Sequence, residues 1–399
     1  MRVPYAQSSH DEEEIEAVVS VLKNNTALGP KTNEFERAIA EIFGKKYGIM
    51  VNSGSSANLL AFEIMNLQRG DEVITPLLTF GTVVAPIIQK GLVPVFVDVE
   101  QDTYIVNIDS VKAAITPKTR VLMIPSLLGN VPNLKALREI ADEHNLWLVE
   151  DSCDTLGATY DGQPTGVYSD ISTTSFYGSH IINGAGGGGM ILVNDPTLAE
   201  RLVILRGWGR KSSLYGETAS SELLENRFTV ELEGVPYDNK FVFSEIGYNF
   251  LPLEISSAFA LVQLDRFPKF AEARKNNFAR LQKFLTQYED FFVLPRQTTN
   301  TKTNWLAFPV TIKDSAPFTR RDLATFLEEQ DIQTRPIFTG NILKQPAFKE
   351  IDHRLAEAEY PNTEMIMRGG LVFGCHQGLT SEQLTFLETK IAEFISKYL

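Results

Sequence analysis

The sequence predicts an α/β protein: a large domain with a mostly parallel sheet flanked by helices, followed by a smaller C-terminal α+β domain. Three observations carry this. Short apolar, β-branched runs alternate with helical stretches of ordinary crossover length through roughly the first 150 residues. Small-residue turns follow several of those runs, as at Asn52-Ser53-Gly54-Ser55-Ser56-Ala57. After about residue 210 the alternation stops, and a long helical pattern leads into a second, shorter set of elements.

Taken in order, residues 11–24 form a helix with acidic residues in the first turn, where they suit the helix dipole. A second helix over 32–43 is ended by Gly44. Strand 47–51 leads through the Gly/Ser turn into helix 55–66; strand 72–75 is followed by helix 79–90 and strand 93–98. Strand 121–124, helix 133–144 and a buried strand over 146–150 complete the regular alternation. Residues 211–240 are polar and read as a long excursion, a functional loop or a partner-contact arm. A helical pattern then runs over 253–288. The second unit contains strand 305–312, helix 319–330, strand 332–335 and a C-terminal helix over 381–399. The boundary is expected near residue 265, giving domains 1–265 and 266–399.

Composition narrows the function. Hydrophobic residues make up 43% and charged residues 22% of the 399-residue chain, ordinary for a globular protein. The net charge of −13 disfavours nucleic acid and anionic membrane surfaces as partners. Local cations and helix N-termini can still hold a phosphorylated small molecule. The two cysteines, Cys153 and Cys375, point to a reducing compartment and cannot supply the four thiolates of an ordinary [2Fe–2S] cluster. No spacing of Cys and His suggests a metal site, and there is neither a signal-like apolar core at the N-terminus nor an apolar run of membrane-spanning length. A cytoplasmic location is expected.

Three segments could carry chemistry. The turn at 52–57 lets backbone approach a phosphate at a new helix N-terminus, and it lacks the Gly-Lys-Ser/Thr of a P-loop. Glu150-Asp151-Ser152-Cys153-Asp154 follows the apolar run 146–149, placing carboxylates at the end of a buried strand, where open α/β sheets bind ligands. Ser175-Phe176-Tyr177-Gly178-Ser179-His180 follows another apolar strand and precedes a glycine-rich run over 184–189. Singly, each has an ordinary structural reading: a helix cap, a solvated loop, a hydrogen-bonding histidine.

Their order and spacing are more specific. Together with Phe80, the Gly247-Tyr248-Asn249-Phe250 segment, Thr334-Arg335-Pro336 and Gly340-Asn341, they resemble the DegT/DnrJ/EryC1/StrS sugar aminotransferases along essentially the whole chain. That resemblance implies a fold type I enzyme using pyridoxal phosphate (PLP). In those enzymes Ser-Phe is followed, after three residues, by the lysine that holds PLP covalently. Here that position is His180. The stretch over 150–162, Ser175-Phe176-Tyr177 and the segment over 374–380 look like the branch that makes this replacement, the NDP-4-keto-6-deoxyhexose 3-dehydratases. These work with PLP or pyridoxamine phosphate (PMP) and remove the C3 hydroxyl of a nucleotide-linked ketosugar.

The resemblance implies the following roles. Phe80 stacks on the pyridine ring and Asp151 pairs with its nitrogen. Asp154 stands where the aminotransferases usually carry Gln, near the cofactor's 3′-oxygen. Gly54, Ser55, Ser56 and Ser175 surround the phosphate. Asn249 reaches the phosphate of a neighbouring subunit, implying a homodimer with shared sites. Tyr177 and Arg335 contact substrate, and His180 is the acid/base. The CDP-sugar enzyme of this branch carries a [2Fe–2S] cluster on cysteines, but the corresponding stretch over 206–212 has none. The implied reaction is therefore the cluster-free one, like that on GDP-4-keto-6-deoxymannose, with L-glutamate as amino donor and ammonia released. Two other readings stay open: an aminotransferase using Lys211 or Lys240, and a PLP- or sugar-nucleotide-binding protein without turnover.

Overall fold

A computed structural model describes residues 1–215 and 223–399. Its centre is an eight-stranded sheet in the order Tyr47–Val51, Gly189–Val193, Ile171–Ser175, Trp147–Asp151, Thr119–Pro125, Glu72–Pro76, Val93–Val97, Arg354–Leu355. Gly189–Val193 runs antiparallel to both neighbours, and the other pairings are parallel. Alternate residues of the same strands feed opposite cores. Val73, Val121, Met123 and Val149 pack on one face; Ile74, Leu122, Ile124 and Leu148 pack on the other. Helices therefore cover both faces, which is why these strands read as continuous apolar runs.

The connecting helices begin and end where local chemistry says they should. Glu12–Asn24 starts with a capping box between Asp11 and Glu14. Pro30–Phe43 ends at Gly44, whose φ of 64° is left-handed. Its N-terminus is closed by a distant residue. The buried carboxylate of Glu254 accepts from the backbone N–H groups of Gly29, Lys31 and Thr32 at 3.0, 2.6 and 3.2 Å. Glu254 begins the 32-residue helix Glu254–Leu285, which packs on both N-terminal helices and contains the expected domain boundary at 265.

A second, four-stranded antiparallel sheet has the order Phe292–Val293, Phe308–Ile312, Gly370–Phe373, Arg335–Pro336. Two expected strands are shorter than the sequence suggested. Trp305 leaves the sheet to stack on Phe278 at 4.4 Å, and the N–H of Leu306 donates to Leu128 O at 2.8 Å. Ile332 bridges Val3 instead, so only Arg335–Pro336 joins the sheet.

Within the polar excursion over 211–240, residues 216–222 lie outside the described residues. The remainder contains a hairpin, Val230–Leu232 with Val235–Tyr237, and an ion pair between Arg227 and Asp238. Among the described residues, no helix is long and apolar enough to cross a membrane.

Candidate active site

Five strands end on one side of the large sheet, and the segments leaving them enclose a cavity of about 250 Å³. Ser53, Gly54 and Ser55 follow Tyr47–Val51, and Phe80 follows Glu72–Pro76. Pro125 to Leu127 leave Thr119–Pro125, Asp151 to Asp154 leave Trp147–Asp151, and Ser175, Tyr177 and His180 leave Ile171–Ser175. This is the carboxyl edge at which open α/β sheets bind ligands. Phe338, from the second unit, closes the wall with its ring edge-on to Phe80, centroids 5.9 Å apart.

Asp151 is aimed by its neighbours. Its Oδ2 accepts from Asn58 Nδ2 at 2.8 Å and its Oδ1 from the N–H of Cys153 at 3.0 Å. Asn58 is itself fixed, because its Oδ1 accepts from Thr173 Oγ1 at 2.6 Å. The companion acid, Glu150, alternates to the opposite side. It is fully buried, accepts from Ser172 at 2.6 Å and is pushed up in pKa by burial. Of the acidic pair at the strand end, only Asp151 faces the cavity.

His180 sits in the loop that closes beyond Ser175. Its backbone N–H donates to Tyr177 O at 2.9 Å, and its Nδ1 lies 3.1 Å from Ser175 O. A carbonyl only accepts, so Nδ1 carries the proton and Nε2 is the basic nitrogen of the neutral ring. Burial pushes the imidazole below its ordinary pKa, with the Arg274 charge acting the same way; the Ser175 carbonyl and Asp151 act against it. Among the described residues, no lysine lines the cavity. Lys240 lines a separate cavity with Trp208 and Arg210, and Lys211 lines neither.

The Gly/Ser turn has the geometry of an anion cradle. The side chain of Ser53 caps helix Gly54–Ile64 by accepting from the N–H of Ser56 at 3.1 Å. The N–H groups of Gly54 and Ser55 take no acceptor among the described residues. A Cβ on Gly54 would lie 2.7 Å from Ser175 Cβ and 2.9 Å from Cys153 Sγ, so only glycine lets these segments meet. Ser56 stays within the turn, with its Oγ donating to Asn52 at 2.7 Å, and does not line the cavity.

Asp154 accepts from the N–H of Leu128 at 2.9 Å. Burial, reinforced by Asp151, pushes its carboxyl up to about 7, poised to exchange a proton near neutrality. Leu128 adopts a φ of 60° to present that N–H.

Most expected site residues converge: Gly54, Ser55, Phe80, Asp151, Asp154, Ser175, Tyr177 and His180 all line one cavity. Asn249 and Arg335 do not. Asn249 is exposed and bridges Gly207, while Arg335 is exposed with its guanidinium 5.8 Å from the Tyr5 ring centre. Sequence reasoning missed Asn58, Ser126, Leu127, Cys153 and Phe338.

The lining suits a flat pyridine ring bearing a phosphate. Phe80 offers a half-exposed aromatic surface, Asp151 a fixed carboxylate, and the turn two free N–H groups. The buried Ser126 Oγ has no partner among the described residues and awaits a polar group.

Fold and site together define a PLP enzyme of fold type I. The chain belongs to the DegT/DnrJ/EryC1/StrS aminotransferase family, which it matches over residues 8–391. It is 39% identical over 376 residues to the lipopolysaccharide biosynthesis protein RfbH of Salmonella typhimurium, covering 92% of this chain and 85% of that one. It is 38% identical over 397 residues to the dTDP-4-dehydro-2,6-dideoxy-D-glucose 3-dehydratase of Saccharopolyspora spinosa, covering 97% and 85%. Among solved structures, it resembles a GDP-4-keto-6-deoxymannose-3-dehydratase with a trapped PLP–glutamate geminal diamine. The TM-score is 0.86 at 29% identity, over 98% of this chain and 100% of that one.

Proposed function

We propose that the chain is a PLP/PMP-dependent 3-dehydratase of a nucleotide-linked 4-keto-6-deoxyhexose, a lyase of deoxysugar and surface-polysaccharide biosynthesis. L-Glutamate is the amino donor, and no iron–sulfur cluster takes part. The observation that carries this reading is His180: a base with Nε2 available, in a cavity whose described lining contains no lysine.

Bound PMP would supply the amine that engages the sugar's C4 ketone and an electron sink for the reaction. The protein's residues position and protonate. Asp151 would pair with the ring nitrogen, Phe80 would stack on the ring, and Asp154 would serve the 3′-oxygen. The N–H groups of Gly54 and Ser55, with the Ser55 and Ser175 hydroxyls, would hold the phosphate, while the Ser56 hydroxyl is engaged with Asn52. His180 Nε2 accepts a proton and returns one to the hydroxyl departing from C3. The C3–O bond breaks and oxygen leaves as water. Glutamate supplies two electrons and leaves as 2-oxoglutarate, and its nitrogen ends as ammonia. Tyr177 and Arg335 contact the sugar nucleotide.

The working unit is a homodimer in which Asn249 reaches the partner's phosphate site. Supporting this, Phe241, Phe243, Ile246 and Leu253 form an exposed apolar run around Asn249, with Ile246 97% exposed. The cytoplasm suits two unpaired cysteines. The large and small domains divide near residue 265.

His180→Asn and His180→Lys test the reading. Both are expected to lose dehydration by at least about a hundredfold. The lysine variant gains a borohydride-fixable link to PLP. Full dehydratase activity in His180→Asn would refute His180 as the base.

A further inference from the structure

Behind the cavity lies a charge that the reading above does not use. Arg274, on helix Glu254–Leu285, is 1% exposed, yet among the described residues no carboxylate lies within ion-pair distance of it. Its guanidinium is held by neutral acceptors. Nη1 donates to Trp305 O and Leu306 O at 3.1 and 2.9 Å, and Nε donates to Gln377 Oε1 at 2.8 Å. Gln377 then turns its amide towards the catalytic loop, where Nε2 donates to Ile181 O at 3.3 Å. Ile181 is the residue after His180. A buried cation without a counter-ion is costly, and a chain keeps one where its field or its geometry has a use.

We propose that Arg274 is a positioning residue for the reaction: through Gln377 it fixes the main chain beside His180. This rests on the dehydratase reading of the site. The groups acting on His180 oppose one another. The Ser175 carbonyl and the Asp151 carboxylate favour the imidazolium, whereas burial and Arg274 favour the neutral ring. Tyr177 adds an edge-on ring at 6.2 Å, and Cys153 and Asp154 line the same cavity. Without the arginine, burial alone would oppose the two attractive groups, and His180 would protonate at higher pH.

The test uses the PMP-loaded enzyme with its 4-keto sugar substrate, together with nuclear magnetic resonance titration of ¹⁵N-histidine protein, in which His180 is assigned by its loss in His180→Asn. In Arg274→Gln, both the acid limb of kcat/KM and the His180 titration are expected to move up by about half a pH unit or more. Arg274→Lys keeps the charge and should leave both near wild type. Gln377→Glu retains Arg274 but gives it a counter-ion and removes the donor to Ile181 O, and should produce the same upward movement. That variant decides the matter if Arg274→Gln does not fold. A His180 titration unmoved in Gln377→Glu overturns the proposal. The imidazole titration is read without turnover, so it stands even if dehydration is not detected, an outcome that would count against the dehydratase reading alone.

Discussion

His180 Nδ1 and the carbonyl oxygen of Ser175 lie 3.1 Å apart, and this contact selects the tautomer in which Nε2 is the base. The same five-residue loop thus joins an anion-cradle hydroxyl to a proton carrier. A lysine at this position would be a primary amine able to bond the cofactor. On the proposed reading, the imidazole transfers protons and leaves the cofactor free to dissociate.

The pH profile should carry the signature of this environment. Burial lowers the His180 pKa from the ordinary histidine value of about 6.5. The active neutral form therefore persists below pH 6.5 and is lost as pH falls through the depressed value. The acid limb of kcat/KM is expected below pH 6.5 and should disappear in His180→Asn. Asp154 titrates at about 7 in the unliganded site, and Asp154→Asn separates its contribution. An acid limb above pH 7 that survives in Asp154→Asn would contradict the account.

Asn58 aims Asp151 at the cavity from within a helix. Asn58→Ala leaves Oδ2 of Asp151 without its 2.8 Å donor and frees the carboxylate to rotate. PMP affinity should weaken by roughly tenfold, equivalent to about 1.4 kcal/mol for one lost hydrogen bond to a charged group. Equilibrium dialysis of PMP measures it. Unchanged affinity would mean that Asp151 does not hold the ring nitrogen.

Stability has its own histidine. His376 is 1% exposed and uses both ring nitrogens: Nε2 donates to Pro4 O at 3.1 Å, and Nδ1 accepts from the N–H of Gly378 at 3.2 Å. Burial lowers its pKa to about 4. The unfolded chain binds this proton near pH 6.5 and the folded chain only near 4, so stability is full above 6.5 and falls as pH drops towards 4. The loss is about 3 kcal/mol across that window. Urea midpoints against pH should show it. His376→Gln, which can keep both hydrogen bonds but does not titrate, should flatten the curve there.

Much of this was legible because it is local. Gly44 ends its helix through its own φ, and Asp151 follows a recognisable apolar strand; the strand before His180, Ile171–Ser175, is mostly Ser and Thr rather than apolar, and His180 is legible from its fixed spacing after Ser175-Phe176. The rest depends on contacts between distant segments. Asn58 looks like an unfavourable polar residue inside a helix until Thr173 and Asp151, more than ninety positions away, meet it. Phe338 reaches the cavity only because the second unit folds back, and the two-residue strand Arg354–Leu355 is too short to carry a period. Arg274 reads as an ordinary charged residue on a long helix; only tertiary packing buries it.

The central claim is that the chain removes the C3 hydroxyl from a 4-keto-6-deoxy sugar nucleotide using glutamate. The most direct measurement incubates the protein with PLP, L-glutamate and CDP-, GDP- and dTDP-4-keto-6-deoxyhexoses, reading sugar mass and ammonia. For one nucleotide sugar the account predicts a product lighter by one oxygen, with ammonia and 2-oxoglutarate formed in equal amounts. A product that instead carries the amino group, with no free ammonia, would make the chain an aminotransferase. Cofactor binding with no product from any member of the panel would make it a binding protein.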